Sequence, residues 1–154
     1  MRMHADQIKD YPQFSRFVST DLPNVANVKS IVSAMAKWSG ASTDKIGEGL
    51  RWGSGPFAMV KALVPKQQGG HVSTPTGGYT LGTNEIVVSM RHVGLFQTGD
   101  DWRKAQGGQV HLVAVILLHE LVHWARDKAG LTDDPDVEVG FEFEKQIYGW
   151  VIDR

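Results

Sequence analysis

The sequence contains no cysteine among its 154 residues. This absence excludes disulfide bonds, zinc sites built from cysteine thiolates and catalysis by a thiol. It fits a protein that is indifferent to the redox state of its compartment, and it does not choose one compartment over another.

Two further features are missing: an excess of charge of one sign and a long hydrophobic run. The formal net charge is −1, which gives no electrostatic reason to expect nucleic acid or an anionic membrane as a partner. The apolar run VHLVAVILL at 110–118 is too short to span a bilayer. The first residues, MRMHADQIKDYPQFSRF, lack the apolar core of a Sec signal peptide. We therefore expect no membrane insertion, and any secretion would use a route other than Sec.

The composition is that of one globular domain. With 42% apolar and 21% charged residues, the chain can bury a hydrophobic core of its own. No internal repeat or linker divides it, so we expect a single domain over 1–154. Residues 1–23 contain two prolines and are expected to be irregular. Residues 53–83 are rich in glycine, proline and threonine, and are expected to form a long surface loop or the rim of a cleft.

The spacing of apolar residues predicts several helices and two short strands. The helices are expected over about 24–40, 43–52, 109–128 and 136–152, and the strands within GYTLGTNEIVVSMRHV at about 78–93. The helix over about 109–128 is expected to pack on the C-terminal helix over about 136–152. A small sheet among predominant helices indicates the α+β fold class.

The segment VILLHELVHWARDKAG at 115–130 places two histidines and a glutamate in the most apolar part of the chain. Buried imidazole and carboxylate groups cost free energy unless a partner compensates them. His119 and His123 are four residues apart in a helix, so both rings project from one face and can reach a single zinc ion. Glu120 lies at the edge of that face, where it can reach a water molecule on the metal. This H-E-x-x-H pattern of zinc hydrolases predicts one Zn²⁺ per chain and Glu120 as the general base.

An alternative interpretation is a pair of core histidines that are satisfied by hydrogen bonds, with Glu120 as an ordinary surface residue. The apolar residues on both sides of the motif favour a buried metal helix instead. The remaining histidines belong to no such pattern. Of these, only His71 and His92 are retained, as accessory groups of a cleft.

Two histidines leave a catalytic zinc ion one protein ligand short. The longer pattern with a third histidine fails, because Arg126 stands where it needs glycine and Ala129 where it needs histidine. We therefore expect a carboxylate further along the chain to be the third ligand. The candidates are Asp133, Asp134, Asp136, Glu138, Glu142 and Glu144.

The helical neighbours of these residues favour Glu144 as the ligand. The residues three and four positions away from it form an apolar face, and they are Gly140, Phe141, Ile147 and Tyr148. A carboxylate buried on that face needs a cation, which zinc would supply. Glu142 has more polar neighbours, and the loop aspartates are explained as helix caps and first-turn charges. These alternatives stay open.

The sequence around the motif resembles a known family. LLHELVHWARDKAG followed by GFEFEKQIYG is similar to the metallopeptidase toxin domains of bacterial polymorphic toxin systems. Some of these domains are carried at the C-terminus of type VI secretion spike (VgrG) or Rhs proteins. The resemblance covers roughly residues 109–150, and it matches the family's glutamate with Glu144, between Phe143 and the pair Tyr148 and Gly149.

The resemblance implies a zincin-like fold, a gluzincin-like zinc metallopeptidase and a secreted antibacterial effector. Its substrate would be a protein or peptide in the periplasm of a target bacterium, and an immunity protein would be its second partner. The chain would then be the C-terminal effector domain of a longer protein. Zincins commonly hold substrate along an edge strand before the active-site helix, and NEIVVSM at 84–90 is expected to be that strand. Two alternatives remain: a zinc amidase acting on cell-wall peptide crosslinks, and a non-catalytic binding module stabilised by zinc.

Overall fold

The computed structural model of the protein describes residues 1–68, 71–132 and 136–154, without the side chains at 66–68 and 71–73. Helices predominate in these residues and small β-sheets accompany them, so the predicted α+β class is confirmed. None of the helices in these ranges has the length and apolar character needed to cross a membrane.

Helices make up most of the regular structure. Their bounds are α1 Ala5–Asp10, α2 Pro12–Arg16, α3 Lys29–Ser39, α4 Thr43–Leu50, α5 Met90–Thr98, α6 Leu112–Lys128 and α7 Val139–Tyr148. Of these, α5 and α6 pack against the central strands. A π-helical turn over Phe17–Asp21 and a 3-10 helix over Leu22–Asn27 lie between α2 and α3. The expectation of an irregular segment over 1–23 is therefore wrong. Proline is tolerated in the first turn of a helix, where its missing N–H has no intrahelical partner to lose.

The strands are short. Their bounds are β1 Phe57–Lys61, β2 Lys66–Gln68, β3 His71–Ser73, β4 Gly77–Tyr79, β5 Glu85–Ser89, β6 Trp102–Ala105 and β7 Gly108–His111. In the largest sheet β5 lies between β1, to which it is parallel, and β4, to which it is antiparallel. The pairs β2–β3 and β6–β7 are antiparallel. The two strands predicted within 78–93 correspond to β4 and β5.

The edge strand beside the H-E-x-x-H helix is β4. The expectation that NEIVVSM at 84–90 is the edge strand is wrong, because β5 is paired on both sides. One of the two partners of β5 is β1, which the apolar stretch FAMVK forms and whose Ala58 and Val60 are buried in the core. The region 53–83 thus contains strands in place of the long loop that its composition suggested.

Helix α6 lies at the centre of the hydrophobic core. Most of its residues are buried, as in a helix that is covered on several faces, and it packs against α3, α7, β4 and β5. The helix begins at Leu112 and not near 109, because β7 pairs with β6 up to His111. The Asp101 side chain accepts a hydrogen bond from the Val113 N–H at 3.3 Å, which helps to define this start.

Helix α7 packs on α6, as predicted, and it is shorter than expected. It begins at Val139 after the N-cap residue Glu138, and it ends at Tyr148. The predicted first-turn proline, Pro135, lies outside the described residues. The predicted start near 136 is therefore early by about one turn. The segment after Gly149 leaves the helix, and its last residue, Arg154, returns to His119 on α6.

Candidate metal centre

His119 and His123 lie one turn apart on α6 and face the N-terminal end of α7. Their ring centroids are 5.2 Å apart. His119 is buried, with 5% of the residue exposed, and the His123 side chain is 16% exposed. A Cβ atom at Gly140 would lie 2.5 Å from ring atoms of His119, so glycine is required for α7 to approach this closely.

Glu138 is the carboxylate that lies against both imidazole rings. Its Oε1 atom is 2.5 Å from Nε2 of His123 and 3.6 Å from Nε2 of His119. The ligand atoms of the three residues all lie within 4.8 Å of one another, the spacing of groups that can share a metal ion. Two imidazoles and one carboxylate match the three protein ligands of a catalytic zinc site, which keeps one position open.

The position of Glu138 is determined by its place at the start of α7. Its carboxylate accepts hydrogen bonds from the backbone N–H groups of Gly140 at 3.2 Å and Phe141 at 2.6 Å. Burial raises the pKa of Glu138, but the His123 hydrogen bond and the charges of His119 and His123 outweigh burial and lower it to about 2. Glu138 is therefore ionised at neutral pH, as an anionic metal ligand must be.

Glu144 lies behind His119, on the other ring nitrogen. It is fully buried, and its Oε1 atom is 2.7 Å from His119 Nδ1. Its Oε2 atom accepts a hydrogen bond from the Ile152 N–H at 2.9 Å, and Arg154 donates to Oε1. A carboxylate on one ring nitrogen of a histidine orients the ring and leaves the other nitrogen for a metal. Glu144 is buried on an apolar face, as predicted. The cation that compensates its charge in the structure is the Arg154 guanidinium group.

The other described candidates for the third ligand do not belong to this group of three. Glu142 forms an ion pair with Lys145 at 2.6 Å at the surface of α7. Asp136 lies in the wall of an open pocket together with Glu138. Asp133 and Asp134 are outside the described residues, as is the side chain of His71. Of the predicted ligands, the structure therefore brings His119 and His123 together at one point, with Glu138 in the place expected for Glu144.

Glu138 is among the candidates that the sequence offers, but its helical neighbours do not favour it over Glu144. Glutamate is not a favoured N-cap residue, and loop aspartates were available for that role. Gly140, two residues after Glu138, is the sequence feature that points to Glu138 as the ligand. Glycine at this position permits α7 to approach α6 closely. Close approach brings the first residues of α7, and not its second turn, nearest to the Nε2 atoms.

Glu120 lies between the histidines and the edge strand β4. It is 6% exposed, and a Cβ atom at Gly77 would be 3.6 Å from its Oε1 atom. Burial raises the pKa of Glu120, although the nearby charges of His119, His123 and Arg154 lower it in part. A buried carboxylate with a raised pKa, beside two histidines that can hold a metal, is suited to accept a proton.

Comparisons with known proteins identify one family. The family model described as metallopeptidase toxin 3 matches residues 7–149, which include the whole of α6 and α7. Comparison with curated proteins and with solved structures gives no match.

Proposed function

Because the chain belongs to the metallopeptidase toxin 3 family, we propose that it is a zinc metallopeptidase whose ion is held by His119, His123 and Glu138. Membership confirms the resemblance seen over residues 109–150 and extends it to residues 7–149. The protein is thus a metallopeptidase toxin. The observation that carries the proposal is the position of Glu138 Oε1 against the Nε2 atoms of both histidines.

The donor set fits zinc. Imidazole nitrogens and a carboxylate oxygen are common zinc ligands, and a set of three leaves room for substrate or water. Glu144 supports the assignment, because a carboxylate 2.7 Å from His119 Nδ1 can accept the Nδ1 proton and leave Nε2, which faces Glu138, for the metal. The combination of two histidines and one glutamate is gluzincin-like, and a zincin-like fold is part of this proposal.

The chain's own residues then divide the work of hydrolysis. A bound zinc ion polarises the scissile carbonyl group and makes a water molecule acidic enough to attack at neutral pH. Glu120 accepts the proton of the attacking water and delivers it to the leaving amine. The edge strand β4, next to Glu120, binds an extended peptide by main-chain hydrogen bonds.

The biological role proposed is that of an antibacterial effector. The toxin would be secreted by a non-Sec route such as type VI secretion and act in the periplasm of a target bacterium, while a cognate immunity protein protects the producer. The family supports the toxin part of this role. An amidase that acts on cell-wall peptide crosslinks would use the same metal chemistry, and a digest of purified muropeptides separates the two activities.

Protein purified without chelator is expected to contain about one zinc ion per chain. His119→Ala and His123→Ala should each lose the ion, because either change leaves only two protein ligands. Elemental analysis by mass spectrometry measures zinc per folded chain, and Lys145→Ala, at an exposed residue that is not a proposed ligand, is a control. Freshly purified wild-type protein without zinc would refute the assignment of the metal.

Expression with a periplasmic signal sequence is expected to inhibit growth of a bacterial host more than cytoplasmic expression. The lack of cysteine means that the oxidising periplasm poses no folding hazard for this chain. Growth curves at matched protein levels measure the difference, with His123→Ala as the inactive control in both compartments. Equal or greater inhibition from the cytoplasm would contradict the proposed site of action.

A further inference from the structure

A positively charged pocket lies beside the candidate metal centre. Its volume is about 300 Å³, and its wall includes Thr76, Arg91, His92, Arg103 and Arg154. The three arginines come from three separate parts of the chain: the first turn of α5, strand β6 and the C-terminal segment. Three guanidinium groups in one concave site attract an anion and repel one another in its absence.

The positive charge of this pocket is only partly compensated. Arg154 donates a hydrogen bond to Glu144, which offsets its charge. Arg103 donates to two backbone carbonyl oxygens, and one of these belongs to Asp153. Among the residues that the structure describes, neither Arg91 nor Arg103 forms an ion pair with a carboxylate. The charges of Arg91 and Arg103 and the remaining N–H donors of their guanidinium groups are therefore available to a ligand.

His92 provides an independent indication of a ligand. The residue is 7% exposed, and its Nδ1 atom is buried without a hydrogen-bond partner in the described part of the chain. Buried polar atoms nearly always have a partner, so an unsatisfied one in a residue that lines a pocket needs an explanation. Burial lowers the pKa of His92, as do the charges of Arg91, Arg103 and Arg154, so the ring is neutral at pH 7. A neutral imidazole can donate one hydrogen bond to an anion.

The pocket adjoins the path proposed for the substrate. Thr76 in its wall directly precedes Gly77, the residue beside Glu120. Arg154, which also lines the pocket, has its Nη2 atom 2.9 Å from His119 Nδ1. Since one residue of an extended peptide spans about 3.3 Å, the pocket lies within about three residues of the bond that Glu120 would act on.

We propose that this basic pocket binds a carboxylate group of the peptide substrate, within about three residues of the cleaved bond. The inference rests on the proposed peptidase function and adds a substrate preference to it. The carboxylate has two possible sources, the C-terminus of a peptide or an aspartate or glutamate side chain. Both offer two oxygens to the guanidinium groups, and charge-assisted bonds of this kind are the strong ones.

Binding can be measured without hydrolysis in zinc-loaded Glu120→Gln protein. The probes are three peptides labelled with dansyl, a fluorophore without a carboxylate: tetraglutamate with an amidated C-terminus, tetraglutamine with a free C-terminus, and tetraglutamine with an amidated C-terminus. The third peptide, which has no carboxylate, is expected to bind at least about tenfold more weakly than one of the other two, a difference of about 1.4 kcal/mol. Tighter binding of tetraglutamate would identify a side-chain carboxylate as the ligand, and tighter binding of tetraglutamine with a free C-terminus would identify the C-terminal carboxylate.

Arg91→Gln combined with Arg103→Gln should remove this preference. Arg16→Gln is the matched control, because Arg16 is an exposed arginine on α2 and does not line the pocket. Thermal melting and zinc content of each variant show that fold and metal are retained. Equal binding or no binding of all three peptides would overturn the inference, as would a preference that persists in the double variant.

The peptidase function is tested separately from the pocket, by cleavage and not by binding. Zinc-loaded wild-type protein is incubated with a peptide library prepared from a bacterial proteome, and new termini are identified by mass spectrometry. Cleavage without a carboxylate preference leaves the peptidase standing and refutes the pocket. Absence of any cleavage refutes the peptidase function, whichever probe peptide binds.

Discussion

Glu120→Gln is expected to abolish peptide cleavage and toxicity while the protein remains folded and loaded with zinc. Glutamine has nearly the size of glutamate but cannot accept the proton of the attacking water. Loss of a general base typically lowers the rate by about 10²–10⁴-fold. Zinc should be retained because the proposed ligands are His119, His123 and Glu138, none of which is changed. The substitution also replaces a buried carboxylate by a neutral amide, so the melting temperature should not fall by much.

The measurements are zinc content, melting temperature, peptide cleavage and growth inhibition, all on the same variant. Glu142→Gln is the matched control, since it makes the same chemical change at a surface residue whose ion-pair partner is Lys145. A purely structural zinc site predicts that Glu120→Gln has no effect. Full toxicity of a folded, zinc-loaded Glu120→Gln protein would therefore refute the peptidase mechanism.

Glu138→Gln is expected to weaken zinc binding far more than Glu144→Gln does. The change at Glu138 removes the charge of a proposed direct ligand that lies against both histidines. The change at Glu144 removes only the group that orients His119, and loss of such a partner typically lowers metal affinity by about 10–100-fold. The loss at Glu138 should exceed this range.

Competition with a chromophoric chelator measures the zinc affinity of both variants, with Glu142→Gln beside them. The melting temperature without metal gives a second readout. There Glu144→Gln should be the less stable protein, because Arg154 loses the buried anion that it contacts. If Glu144→Gln instead loses zinc while Glu138→Gln keeps it, Glu144 is the ligand, as the helical neighbours alone had suggested.

Local periodicity in the sequence determined the fold class, the helix of the H-E-x-x-H motif and the strands β4 and β5. These features depend on residues within a few positions of one another, which any helix or strand brings together. The burial of Glu144 followed in the same way, from neighbours three and four residues away. The helices within 1–23 and the hairpin β6–β7 could not be predicted with similar ease, since such short elements are stable only through tertiary packing.

The family resemblance, too, was already present in residues 109–150, and the match over residues 7–149 confirms it. The resemblance aligned the family's glutamate with Glu144, but it did not show which ring nitrogen of His119 the Glu144 carboxylate faces. A sequence pattern records the order of residues, and the orientation of one helix against another is not part of that order. The resemblance therefore supported a metallopeptidase more firmly than it supported one choice of third ligand.

Only the tertiary structure decided which carboxylate meets the Nε2 atoms. Gly140 allows the start of α7 to contact His119, and this close approach places Glu138 at the rings and Glu144 behind them. The cation opposite Glu144 is Arg154, which arrives through the last residues of the chain. Pairing of β1 with β5 likewise made β4 the edge strand. Contacts between residues distant in sequence depend on how elements pack against one another, and periodicity carries no information about that packing.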